Sequence, residues 1–62
     1  MSVNEWIREI EKANNERNLN IISKANYEDR IKNAIAMIYK EGDKDRAKGI
    51  AKAHGYKMKD LL

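Results

Sequence analysis

A chain of 62 residues with no cysteine and a single histidine, His54, has nothing to fold around except its own apolar side chains. Disulfides are excluded, and so is every zinc site assembled from Cys and His within one chain. A domain this small buries only about 60% of the surface that its unfolded form exposes, so apolar faces must be covered economically or shared with a second copy. One helical domain, residues 1–62, is therefore expected, with a homodimer as one way to gain further burial.

Three segments carry the spacing of amphipathic helices. Ser2-Val3-Asn4-Glu5 has the capping-box form, and apolar residues then recur at Val3, Trp6, Ile7, Ile10 and Ala13, which predicts a helix over 3–16. The pattern fades at Asn14-Asn15, since Asn side chains compete for backbone hydrogen bonds. Leu19 to Ser23 reads as an irregular but packed connector. Asn26 then caps a central helix over 27–41, with Glu28 and Asp29 in its first turn and a stripe of Tyr27, Ile31, Ala34, Ile35 and Ile38. Gly42 ends it. Asp43 caps a third helix over 44–54, with Ala47, Ile50, Ala51 and His54 on one face and Gly49 marking either a close crossing or simple tolerance. A short turn near 57–62 follows. The expected fold is all-α, a compact three- to four-helix bundle whose core holds Trp6, Ile7, Ile10, Ile31, Ile35, Ile38, Ile50 and Leu61.

Charge is distributed unevenly. The first 31 residues carry five Lys/Arg and six Asp/Glu, a net of −1, whereas the last 31 carry eight and four, a net of +4. Within Arg46 to Leu62 five basic residues, Arg46, Lys48, Lys52, Lys57 and Lys59, face the one acid Asp60. Such a stretch favours DNA or another anionic partner, although basic runs also serve as solvated faces. The longest apolar run is the six residues Ala34 to Tyr39, far short of the roughly 18 needed to span a bilayer, so no membrane role and a cytoplasmic location are expected. Eight Ile, nine Lys and seven Asn have A/T-rich codons, which points to an A/T-rich genome or to a phage or other mobile element.

The parts for catalysis are missing. His54 lies on an apolar helix face, Ser2 and Ser23 fall at a cap and in a loop, and neither serine has an evident base. The acidic pairs Glu28-Asp29 and Asp43-Asp45 sit where helix starts favour negative charge. Asp43 to His54 also fails as a calcium loop, because Ala47, Lys48 and His54 occupy the positions that require an oxygen ligand, Gly and Glu. Gly42, Gly49 and Gly55 lack phosphate-loop spacing. The chain is expected to be no enzyme and to use no metal or cofactor.

One motif remains. Ile50-Ala51-Lys52-Ala53-His54-Gly55-Tyr56 has an Ala-x-x-x-Gly core with an apolar residue before the Ala and Leu61 six positions beyond Gly55. Over Arg46 to Leu62 it resembles the helix-turn-helix of many bacterial and phage repressors, in which a small residue lets two helices approach and Gly permits the turn. The resemblance implies a second helix starting near Met58, with Lys57 and Lys59 close to phosphates or base edges and Arg46, Lys48 and Lys52 flanking. Only Met58 to Leu62 remain to build it, and no Arg, Asn or Gln follows Gly55 to read bases bidentately. The expected function is a small nucleic-acid-associated regulatory protein. The alternative is a helical inhibitor or adaptor that engages a larger protein through Trp6, Tyr39 or Tyr56, with Tyr39 the most exposed because it sits one position off the central stripe.

Overall fold

Ser2 opens the first helix, α1 (Val3–Asn18), with both halves of a capping box: its hydroxyl accepts the Glu5 N–H at 3.3 Å, and its own N–H donates to the Glu5 carboxylate at 3.4 Å. In the computed structural model, which describes residues 2–62, three further helices follow: α2 (Lys24–Lys40), α3 (Lys44–Ala53) and the single turn α4 (Met58–Leu61). The fold is an all-α bundle with no strand among the described residues. The helix α2 is capped by Ser23 and not by Asn26. The Ser23 hydroxyl accepts the Asn26 N–H at 3.1 Å, which places Asn26 inside the first turn and starts the helix three residues before the expected position. Asp43 caps α3 as expected, accepting the Arg46 N–H at 3.3 Å.

The three long helices share one kind of ending. Asn20, Gly42 and Gly55 adopt left-handed φ values of 59°, 104° and 78°. Each donates its N–H three residues back, to the carbonyls of Arg17, Tyr39 and Lys52 at 3.0, 3.1 and 3.1 Å. The next residue in each case, Ile21, Asp43 or Tyr56, donates five residues back, to Glu16, Ile38 or Ala51 at 2.9, 3.3 and 2.8 Å. This paired bonding satisfies carbonyls that a helix end would otherwise leave open. Asn is the residue besides Gly that most readily accepts the left-handed conformation, which is why α1 can end at Asn20 without a glycine.

The core lies where α1 and α3 pack on α2, and α4 also rests on α2. Its buried residues are Ile10 and Ala13 from α1, Ile31, Ala34, Ile35 and Ile38 from α2, and Ala47 and Ala51 from α3. Four of the eight expected core residues are thus buried. Trp6, Ile7, Ile50 and Leu61 are instead half-buried and pack against this centre. Alanines take their place because a methyl side chain lets helix backbones approach closely, whereas larger side chains sit at the rim. The Trp6 Nε1–H is enclosed without a hydrogen-bond partner among the described residues, a cost that the rest of the indole's burial must offset.

The connector was expected to be packed, but it projects outward. Leu19 is 71% exposed and Ile21 64% exposed. Ile21 would normally fold back on the side chain five residues earlier, but that residue is Glu16, whose carboxylate is engaged by Arg30. Gly49 marks no close crossing, since a Cβ built on it meets no atom within 4 Å.

Two glycine substitutions should therefore act in opposite directions. Gly49→Ala adds helix propensity in open space and should stabilise by about 1 kcal/mol. Gly55→Ala also meets nothing within 4 Å, but it forces a Cβ into left-handed backbone and should cost about 1–2 kcal/mol. Urea unfolding followed by circular dichroism measures both, and a destabilised Gly49→Ala would contradict the open surface at that position.

Candidate nucleic-acid interface

The helix α3 turns the buried Ala47 and Ala51 and the half-buried Ile50 to the core, and its other positions face water. Lys48 and Lys52, four residues apart, share one flank of that outward surface. Arg46 falls on the opposite flank and turns back to the helix start, where its Nε lies 3.3 Å from an Asp43 carboxylate oxygen. Lys57 precedes α4 without capping it through its side chain, and Lys59 lies within that turn. All five basic residues are exposed. Among the described residues Lys48, Lys52, Lys57 and Lys59 form no ion pair, so their charge is available to solution.

Of the residues that carry the helix-turn-helix resemblance, Ala51 is buried, Gly55 is left-handed, and Met58 and Leu61 pack against the core. The second helix is the limiting part. With four residues, α4 is only about 6 Å long, little more than one turn, and its outward side chains are too few to read several base pairs.

An aromatic cluster fixes where this element sits. The His54 ring lies 6.5 Å from that of Tyr27 and is stacked at 6.2 Å on that of Tyr56, and the Lys32 ammonium stands 5.3 Å from the Tyr56 ring centroid. These contacts hold the turn after α3 beside the first turns of α2, the same end of the bundle that carries the connector 19–23. The three aromatic interface candidates are less displayed than sequence spacing suggested. Trp6, Tyr39 and Tyr56 are all half-buried, and Tyr39 lies beneath Lys44, whose ammonium is 5.4 Å from its ring centroid.

Several polar residues that the sequence did not single out turn out to organise the other side of α2. Arg30 donates from Nε to Glu9 at 2.9 Å and from a terminal nitrogen to Glu16 at 2.7 Å, so one guanidinium joins two carboxylates spaced two turns apart on α1. Hydrogen bonds to Glu9 and then Glu16 raise the Arg30 pKa further above its ordinary range. Asn14, which interrupts the apolar stripe of α1, accepts the Tyr27 hydroxyl at 2.6 Å. The i, i+7 spacing of Glu9 and Glu16 was the one available signal, and it did not name Arg30 as the partner. Of the acids on α1, Glu9 and Glu16 are thus engaged by α2.

No cavity, and no gathering of three or more His, Asp or Glu side chains able to hold a metal ion, occurs among the described residues. Burial first, and then the charge of Glu28 and the neighbouring Tyr27, hold the Tyr56 phenol above its ordinary pKa of 10.0. The folded state therefore keeps this proton more tightly than the unfolded state does. Its contribution to stability is complete below pH 10 and is lost as pH rises through the higher folded value. Tyr56→Phe should make the loss of stability above that pH shallower, as measured by urea unfolding on either side of it. An unchanged pH profile would show that Tyr56 titrates as a free phenol. In comparisons with known proteins, no family model, no curated protein and no solved structure matches the chain.

Proposed function

We propose that this protein is a small nucleic-acid-associated regulatory protein whose basic C-terminal third binds the phosphate backbone. The observation that carries the reading is the set of exposed lysines on α3 and α4, Lys48, Lys52, Lys57 and Lys59, which have no acidic partner. Arg46 joins them when an external phosphate competes with Asp43 for its guanidinium. Phosphate contacts give affinity and orientation but carry little sequence information. A single-turn α4 suits that role, and a dimer would be needed to bring enough side chains to base edges.

The rival reading is an inhibitor or adaptor for a larger protein. It draws on Trp6, Tyr39 and Tyr56, but each of these is half-covered, two of them beneath a lysine, whereas interface anchors are displayed at the centre of a patch. The free lysines favour an anionic polymer.

Binding to a fluorescent duplex should weaken steeply with salt, with a log–log slope of about −0.9 for each phosphate neutralised. Replacing Lys57 and Lys59 together with Glu should reduce that slope by about two and lower affinity across unrelated sequences alike. Fluorescence anisotropy over a salt series measures both. Tight, salt-insensitive capture of a protein by the same chain, with no duplex binding, would overturn the reading.

A further inference from the structure

The connector between α1 and α2 displays two aliphatic side chains that the fold does not use. Leu19 and Ile21, 71% and 64% exposed, flank Asn20 at the apex. They are held firmly. The Asn20 and Ile21 N–H groups donate to Arg17 and Glu16 carbonyls at 3.0 and 2.9 Å, and the Arg17 guanidinium reaches across to the Ile22 carbonyl at 3.2 Å.

The surroundings restrict what can cover this tip. From Arg17 to Lys32 the cations Arg17, Lys24 and Lys32 stand against the acids Glu28 and Asp29, while Arg30 is engaged by Glu9 and Glu16. The His54–Tyr27 contact brings Gly55 to Met58 to the same end, so Lys57 adds positive charge there. Two side chains supply only a fraction of the roughly 800 Å² per partner that a specific protein–protein interface buries, which argues against a folded protein as the occupant. An anionic occupant remains. The exposed amides of Asn18 and Asn20 alternate with the aliphatic side chains. A bilayer interior would strip those amides of hydrogen bonds, whereas base edges and sugars supply them.

We infer that the connector is a wedge that enters the minor groove of duplex DNA, inserting Leu19 or Ile21 at a base step while Asn18 and Asn20 meet base edges and Arg17, Lys24 and Lys57 take up phosphate. This rests on the proposed nucleic-acid function and extends it from backbone attachment to deformation of the duplex. Apolar wedges beside Asn, Arg and Lys are the side-chain set by which minor-groove proteins unstack and kink DNA. A wedge also makes binding selective without base-reading contacts, because pyrimidine–purine steps open at lower cost than A-tracts.

The test uses a duplex labelled at both ends for energy transfer, with either a central TG or TA step or a uniform A-tract, and compares the full chain with Leu19→Ala/Ile21→Ala and Lys57→Glu/Lys59→Glu. The full chain should bring the duplex ends closer and prefer the flexible step by on the order of tenfold. The alanine pair should abolish the preference and the end-to-end change while keeping the salt slope, and circular dichroism should show its fold intact, since both side chains lie outside the core. Salt-dependent binding with no bending and no step preference would overturn the wedge alone. Absence of any salt-dependent duplex binding would overturn the nucleic-acid reading and the wedge with it. An alanine pair that loses binding to phosphatidylglycerol vesicles yet bends DNA normally would assign the tip to a membrane surface instead.

Discussion

The close approach of α1 and α3 to a single helix, α2, is made possible by four methyl groups. Ala13, Ala34, Ala47 and Ala51 lie at the centre of the bundle with essentially no exposure, beside Ile31, Ile35 and Ile38. Helix separation depends on the side chains at the crossing, and alanine permits the short end of the usual range. The isoleucines of α2 then fill the space between two close neighbours, and a chain this short gains a dry centre from few residues. Trp6, Ile7, Ile50 and Leu61 serve as the rim of that centre, where partial exposure costs less than a void would.

Around this apolar seam the polar contacts divide between the two sides of α2. Arg30, Glu9 and Glu16, together with Tyr27 and Asn14, join α1 to α2. On the α3 side the contacts are aromatic, from Tyr27 through His54 to Tyr56. Half-exposed ion pairs contribute modestly to stability, but a guanidinium that bridges two carboxylates two turns apart restricts sliding and rotation of α1. Arg30 thus neutralises two acids between α1 and α2, whereas the lysines of α3 and α4 stay outward and, among the described residues, unpaired.

The three long helices were legible because each begins at a side chain that can cap and ends at a residue that tolerates left-handed backbone. Ser2, Asp43, Gly42 and Gly55 announce themselves in this way. Asn26 misled because two capping residues stand three apart, and the choice between Ser23 and Asn26 depends on whether Lys24 and Ala25 are helical, which local chemistry leaves nearly balanced. The alanine core was harder to see, since hydrophobicity favours Trp6 and Ile50 over Ala47 and Ala51, and only packing geometry reverses the order. Arg30 and its acids were invisible for a different reason: partner choice between charges on separate helices is a tertiary property. Of the candidate interface, the exposure of the lysines was legible from charge and spacing, whereas the outward Leu19 and Ile21 were not, because hydrophobicity alone places such residues inside.

Trp6, the one tryptophan, sits near the start of α1, about 18 Å along the helix axis from Asn18 at its other end. Its indole packs against the core at the end of the bundle remote from the connector and from the turn after α3. Its emission is therefore an intrinsic optical gauge of whether α1 is docked, placed far from the connector tip. A ligand confined to that tip should leave the tryptophan spectrum almost untouched, so a red shift on mixing reports detachment of α1 and not contact at the tip.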